Sequence, residues 1–382
     1  MNSEIECVAT CRPGLEGVLS EEIAAQGGEG IRVAKRAVHF ATDLAGIYRM
    51  NMALRAAIQV LLPLRTFNAR DYKLLYFQAR RTNWHQLFTV EKTLRIDVNG
   101  HSPNLRNTQY VVHRVKDGIV DTFRKLSDGR RPSIDKAEPR IHIVVHLDGD
   151  AVTLCLDSSG IPLFKRGYRL EHGGAPLKED LAAGILLLAG LRAGSGSLID
   201  PMCGSGTFLF EGWMIAGNMA PNLNREFAFQ HWLNYEPELH RRERDTLAAR
   251  AAAPPGAAMV GCERDESTWR LAERIRETHF PSAGISLRHQ PFQEAAVEMP
   301  GALMATNPPY GERIGRDADL DLLYRELGMA ARRMVPGGRL AVFTTNRKAA
   351  RQIPMKPEHS FTLFNGALEG LLSLYKVRPS RE

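Results

Sequence analysis

The side chains best placed to do chemistry lie in two short segments, each closing an apolar run. Asp200-Pro201-Met202-Cys203-Gly204-Ser205-Gly206-Thr207 follows Ser197-Leu198-Ile199, and Asn307-Pro308-Pro309-Tyr310 begins 107 residues after Asp200, at the end of residues 301–306. Runs of that length read as buried strands, and open α/β sheets bind ligands beyond the carboxyl ends of their strands. Gly204 and Gly206 permit a tight strand-to-helix turn with close backbone approach to a ligand. A dinucleotide turn asks for a third small residue where Leu209 stands, and a phosphate loop asks for Lys-Ser/Thr after its glycines, which is missing here. Asp200 would repel a pyrophosphate but pair with the ammonium of a methionyl group. S-adenosyl-L-methionine (SAM) carries that ammonium together with a cationic sulfonium. A structural turn with a solvated aspartate is the alternative.

The second segment suits presentation of a planar amine. Consecutive prolines fix φ and remove two N–H donors, which holds the carbonyls of Asn307 and Pro308 outward. If the Asn307 amide oxygen and the Pro308 carbonyl accept the two amine hydrogens, the nitrogen lone pair is aimed at a methyl group. The same acceptors stabilise the positive charge that develops. Tyr310 offers a stacking face worth ~1–3 kcal/mol to a flipped base. A rigid strand-to-loop turn is the bland reading of Pro308-Pro309.

Elements must hold these segments together. A helix is expected over 204–217, a strand over 257–262 and a helix over 267–279. Glu263, at the second strand's tip, stands where such folds meet ribose hydroxyls, with Arg264 beside it. The 57 residues from Gly206 to Glu263 exceed the usual spacing of ~20, so 214–256 reads as an insertion broken by Pro221, Pro237, Pro254 and Pro255. The five cysteines form no CxxC pair and the histidines no HExxH, so neither a metal site nor a cysteine nucleophile is expected. Cys203 reads as a packing residue.

The chain has 382 residues, 44% hydrophobic and 24% charged, enough for two or three domains. No apolar run approaches the ~20 residues of a membrane span, and the first residues lack a signal-peptide pattern, so a cytoplasmic location is expected. The net charge of +7 is uneven: residues 1–175 carry +6 and residues 176–382 carry +1. That asymmetry points to nucleic-acid binding by the N-terminal part.

In that part, strands are expected over 5–10, 31–40 and 57–67, and helices over 14–26 and 43–53, a ferredoxin-like pattern. A second unit brings a strand over 94–98 and a helix from the Asn107 cap to about Ser127, with Val111, Val112, Val115, Ile119, Phe123 and Leu126 on one face. A hairpin follows across Asp148-Gly149-Asp150. The alternation of His142 and His146 suggests an edge or exposed face. Arg124, Lys125, Arg130, Arg131 and the basic loop Lys165-Arg166-Gly167-Tyr168-Arg169 are the candidate phosphate contacts, with His172-Gly173-Gly174 as a joint. A linker with solvated charges is the alternative for the loop.

Together these segments resemble the THUMP-domain class I methyltransferases, and among them bacterial 23S ribosomal RNA guanine-N2 methyltransferases. The resemblance covers essentially the whole chain. It rests on the basic loop, Ala175-Pro176-Leu177-Lys178-Glu179, the Asp200–Thr207 turn, Asn307-Pro308-Pro309-Tyr310-Gly311-Glu312-Arg313 and Asn365-Gly366. Asn-Pro-Pro-Tyr by itself is shared with adenine-N6 and glutamine-amide methyltransferases.

The resemblance implies an α/β architecture: a ferredoxin-like unit (1–66), a THUMP RNA-binding unit (67–158) and a doubly wound, seven-stranded, Rossmann-like SAM domain (159–382). It implies SAM held by Asp200, Met202, Gly204, Gly206, Thr207, Glu263, Arg264 and Asn307, with Asn307, Pro308, Pro309 and Tyr310 as the target-base pocket. It also implies an acid after the third strand to meet the adenine amino group, but Pro291 stands there, leaving Gln290 or the Phe292 backbone. The partner implied is RNA, with neither membrane nor metal. N6-adenine methylation, or RNA binding with a vestigial cofactor site, remain alternatives. Because every cofactor candidate lies beyond residue 160, a fragment starting there is expected to bind SAM alone.

Overall fold

In the computed structural model, which describes residues 4–169, 177–253, 256–309 and 317–379, strands are separated by helices; some strands alternate in burial, as over 5–11, and others are buried throughout, as over 303–306. The first unit comprises β1 (Ile5–Cys11), α1 (Glu16–Ala25), β2 (Glu29–Ala34), β3 (Ala37–Thr42), α2 (Leu44–Ala53) and β4 (Ala57–Asn68). The second comprises α3 (Tyr72–Arg80), β5 (Leu94–His101), α4 (Thr108–Leu126), β6 (Ile141–Asp148) and β7 (Ala151–Asp157). Both units share one seven-stranded sheet in the order β2-β3-β1-β4-β7-β6-β5, joined where β4 pairs antiparallel with β7. Alternate residues such as Cys7, Ala9 and Cys11 of β1 and Ile141, Ile143 and Val145 of β6 share one core with Leu19 of α1 and Ile119 of α4.

Three local expectations change. Residues 31–40 are two strands of a hairpin, because Arg36 takes φ 61 and reverses the chain without a glycine or asparagine to mark it. On α4, which Asn107 caps through Tyr110 N–H at 3.0 Å, Leu126 is 55% exposed and so lies off the apolar face. His146 is exposed, but His142 on the same strand is buried, with carboxylates from both flanking strands, Asp97 of β5 and Asp157 of β7, closing on its ring. The His142 ring bridges Asp157 (2.6 Å) and Asp97 (2.7 Å). Burial would lower its pKa, but the two carboxylates override that and lift it to about 9.

The C-terminal part comprises α5 (Glu179–Leu188), β8 (Leu198–Asp200), α6 (Thr207–Ala216), α7 (Pro237–Ala249), β9 (Met259–Glu263), α8 (Glu266–His279) and β10 (Ile285–His289). It continues through β11 (Leu303–Thr306), α9 (Asp317–Met334), β12 (Arg339–Thr344), α10 (Arg347–Ala350), β13 (His359–Asn365) and β14 (Leu368–Lys376). The sheet order is β10-β9-β8-β11-β12-β14-β13, parallel from β10 to β12, with β14 antiparallel to both β12 and β13. The chain winds outward from β8 to β10 and then returns to β11 on the other side of β8. That reversal creates the crevice in which such sheets bind ligands.

The insertion does not hang free. Tyr48 of α2 stacks on Phe229 at 4.4 Å, Arg49 pairs with Glu243 at 2.7 Å, and Glu236 N–H donates to the Tyr48 hydroxyl at 3.1 Å. Residues 217–253 are thus the bracket that fastens the C-terminal sheet to the first unit.

Candidate cofactor and target-base site

β8 and β11 are parallel neighbours, with Leu198 opposite Leu303 and Ile199 opposite Met304. Their carboxyl ends therefore bring Asp200 and Asn307 to the same edge, at the reversal of strand order. Strand spacing and a two-residue offset put their backbones roughly 8 Å apart, comparable with the length of a methionyl chain.

Asp200 is 2% exposed and accepts one hydrogen bond, from Met202 N–H at 3.2 Å. Burial raises its pKa to about 7, against the opposing pull of the Met202 N–H and the Thr306 hydroxyl; the Glu263 charge adds to the rise. The fully buried Thr306 hydroxyl makes no well-aligned hydrogen bond, so its influence is that of a nearby dipole. A buried carboxylate with so little compensation is suited to receiving a cation.

The turn after it adopts left-handed backbone at Gly204 (φ 54) and Gly206 (φ 83). A Cβ on Gly204 would meet nothing within 4 Å, so the turn faces open space there. Thr207 opens α6 and is buried, and Met202 packs partly buried against the neighbouring core. Cys203 N–H donates to Cys262 O at 2.9 Å, tying the turn to β9. Burial drives the Cys203 thiol well above its ordinary range, which fits packing and not nucleophilic attack.

Glu263 accepts from Gly204 N–H (3.0 Å) on one oxygen and from Asp265 N–H (2.8 Å) on the other. Both oxygens are oriented, and each keeps a lone pair for a hydroxyl. Asp265 caps α8 through Thr268 N–H at 2.8 Å. Arg264 is exposed, and its carbonyl meets His289 Nε2 at 3.3 Å. The Phe292 ring is buried in the core and its carbonyl accepts from Arg333 at 3.3 Å.

Asn307 is half-buried, Pro308 buried and Pro309 half-buried. Tyr310, Gly311, Glu312 and Arg313 lie outside the described residues, as do His172, Gly173, Gly174, Ala175, Pro176, Pro254 and Pro255. Among the described residues no cluster of metal-ligating side chains occurs, and no helix is long and apolar enough to cross a membrane.

The basic candidates divide. Arg166 is unavailable to a phosphate: its side chain is 1% exposed, 3.5 Å from Glu211, and it donates to Arg55 O at 2.6 Å and to Leu163 O. Arg169 is held by Glu179 at 2.9 Å and by Leu177 O at 3.0 Å. Lys165 and Lys125 are exposed, and Arg130 pairs with Glu91 at 2.9 Å on the surface. Arg124 and Arg131 line a cleft of about 610 Å³ with Arg114, Lys116 and Tyr76. The Arg114 guanidinium lies 4.6 Å over the Tyr76 ring. Arg114 and Lys116 stand off the buried face of α4, and nothing in the sequence placed Tyr76 opposite them.

Residues 166–373 match the RMKL-like methyltransferase domain family, residues 6–61 the RlmL ferredoxin-like domain and residues 69–157 the THUMP domain. A ribosomal RNA large subunit methyltransferase K/L from Pseudomonas putida (strain W619) is 37% identical over the full chain, which covers 53% of that protein. The chain thus spans about half the length of the curated relatives it matches. The fold superposes on a candidate methyltransferase crystallised with S-adenosylhomocysteine (SAH) with TM-score 0.90 and 26% identity, each chain fully covered. It also superposes on a predicted N6-adenine-specific DNA methylase from Listeria monocytogenes str. 4b F2365, with TM-score 0.88, 27% identity, and 98% and 97% of the two chains covered.

Proposed function

The chain belongs to the RMKL-like methyltransferase family, and from that premise we propose that it methylates a guanine exocyclic N2 in large-subunit (23S) ribosomal RNA, using SAM, in the cytoplasm. The observation that carries this reading is the meeting of Asp200 and Asn307 at the carboxyl ends of β8 and β11, where the strand order reverses. We divide the labour among a ferredoxin-like unit (1–66), a THUMP unit (67–158) that captures RNA, and a methyl-transferring domain (159–382).

Bound SAM supplies an electrophilic methyl group on a sulfonium. Asp200, ionised, pairs with the ammonium of its methionyl part, and the Gly204–Gly206 turn lets the backbone close around it. Glu263, fixed by two N–H donors, accepts from the ribose. Met202, Thr207 and Arg264 border the same ligand, and the Phe292 backbone meets the adenine. Asn307 Oδ1 and the Pro308 carbonyl accept the two hydrogens of the target amine, with Pro309 and Tyr310 completing the pocket. An amine on an electron-poor ring is weakly basic, so orientation and proximity do more here than a strong base. Its proton leaves to solvent after transfer.

The rival that an observation favours is adenine N6, on the likeness to the Listeria protein described as an adenine methylase. Incubating the chain with unmodified large-subunit RNA and isotopically labelled SAM, then analysing nucleosides by mass spectrometry, separates the two. Labelled N2-methylguanosine is expected. Label in N6-methyladenosine would transfer the reading to the rival, and absence of SAH binding would leave only an RNA-binding protein.

A further inference from the structure

Glu211 is the one charged residue of the apolar helix α6 and is fully buried. Its carboxylate accepts from the Tyr168 hydroxyl at 3.0 Å and faces Arg166 at 3.5 Å. Arg166 in turn donates to the carbonyl of Arg55, in the first unit, at 2.6 Å. Arg55, itself buried, donates to Met214 O (3.1 Å) and Met219 O (2.6 Å), in the last turn of α6 and just beyond it. The Tyr168 ring meets Phe210 edge-on at 5.6 Å, and Phe210 stacks on Phe280 at 4.8 Å. Phe210 lies directly beneath the cofactor turn: a Cβ on Gly206 would come within 2.8 Å of its ring.

Adhesion between the two halves needs no charge, because a buried ion pair adds little stability over apolar packing of similar volume. What these groups add is direction. Bonds to the carbonyls behind α6 and to Glu211 in its middle fix the helix along its axis and in rotation. A ten-residue helix is stiff enough to deliver both to its first turn, where Gly206 rests on Phe210.

We propose that Tyr168 and Glu211 are positioning residues for the cofactor turn, and that through Arg166 and Arg55 the N-terminal unit sets cofactor affinity. This rests on reading the turn as the SAM site. The test is calorimetric titration of the full chain with SAH, alongside steady-state kinetics, for wild type, Tyr168→Phe and Glu211→Gln. Tyr168→Phe keeps the ring and loses only the hydroxyl, so it remains decisive even if Glu211→Gln fails to fold.

SAH affinity should fall about tenfold, the scale of one hydrogen bond to a charged group. The KM for SAM should rise in step, while the KM for RNA and kcat change less than about twofold. Arg55→Lys should retain more affinity than Arg55→Met. A folded Tyr168→Phe with a lowered Tm but unchanged SAH affinity and KM would overturn the inference and leave the network as adhesion. Wild-type protein that does not bind SAH would instead sink the cofactor reading itself, a distinct outcome.

Discussion

Asp200 was visible in the sequence as a carboxylate at a strand tip, but its isolation was not. Only the fold shows that burial lifts its pKa to about 7, against the Met202 N–H and the Thr306 hydroxyl, with Glu263 adding repulsion. An ammonium binds the anion, so cofactor affinity should climb as pH rises toward about 7 and level off above it. SAH titrations between about pH 6 and 8 should show that climb, with proton release visible as a buffer-dependent enthalpy near the midpoint. Asp200→Asn should bind at least tenfold more weakly, on the order of a lost charge-assisted contact, and without the pH dependence. A wild-type affinity that stays flat across this range would remove Asp200 from the ammonium site. The part proposed for Asn307 is different. Asn307→Ala should leave SAH affinity near wild type and lower the single-turnover rate by about 10²–10³, as for loss of one preorganised polar group. Near-normal turnover would exclude it as an acceptor of the amine hydrogens. Arg166 teaches the opposite lesson. A basic loop reads as a phosphate site from composition, yet its guanidinium is committed to Glu211, 45 residues away, and no local pattern announces a buried partner. A lone Glu in the apolar run from Thr207 to Ala216 was the available clue.

Elements with strong local signals were legible: the capped helix after Asn107, the hairpin across Gly149, and the strand–turn–helix at Asp200. What was not legible depended on pairing between distant strands. The hairpin at Arg36 carries no turn residue, and the burial of His142 goes with the carboxylates that β5 and β7 bring to it, Asp97 and Asp157. The same holds for the union of the first two units, since β4 meets β7 only through a register that no single segment encodes. The cofactor turn gives a test at this scale. Gly206 holds φ 83 at the start of α6, and an added Cβ would press into the Phe210 ring at 2.8 Å. Gly206→Ala therefore combines an unfavourable left-handed backbone with a clash, and should cost about 1–3 kcal/mol. Thermal unfolding should show a lowered midpoint, and SAH binding should weaken beyond what that loss explains, because the turn itself must shift. Gly204→Ala, with the same backbone sign but open space before it, should lower stability less. If the two variants behave alike in both measurements, the contact between turn and helix has no role in shaping the site.

Across the whole molecule, the charge asymmetry invites a division into an RNA-binding half and an autonomous catalytic half, but the packing between them argues against autonomy. Arg12 of the first unit pairs with buried Asp180 at the start of α5 at 2.7 Å. Leu15 fills the space that a Cβ on Gly184 would need, and Gly14 abuts Thr362 and Leu363 of β13. Arg55 caps the end of α6, and α2 packs under the bracket of residues 217–253. A fragment beginning near residue 160 contains every cofactor candidate, yet it strands Asp180 and strips Arg166 and Glu211 of their cover. Removing one partner of a buried pair costs about 3–5 kcal/mol, and a whole domain is stable by only about 5–15. The fragment should therefore lack a cooperative thermal transition and bind SAH far more weakly than the intact chain, contrary to what the sequence alone suggests. Circular dichroism melts and calorimetry on residues 160–382 decide the matter. A fragment that melts cooperatively and binds SAH as the full chain does would make the interface dispensable, and the N-terminal units would then serve RNA alone.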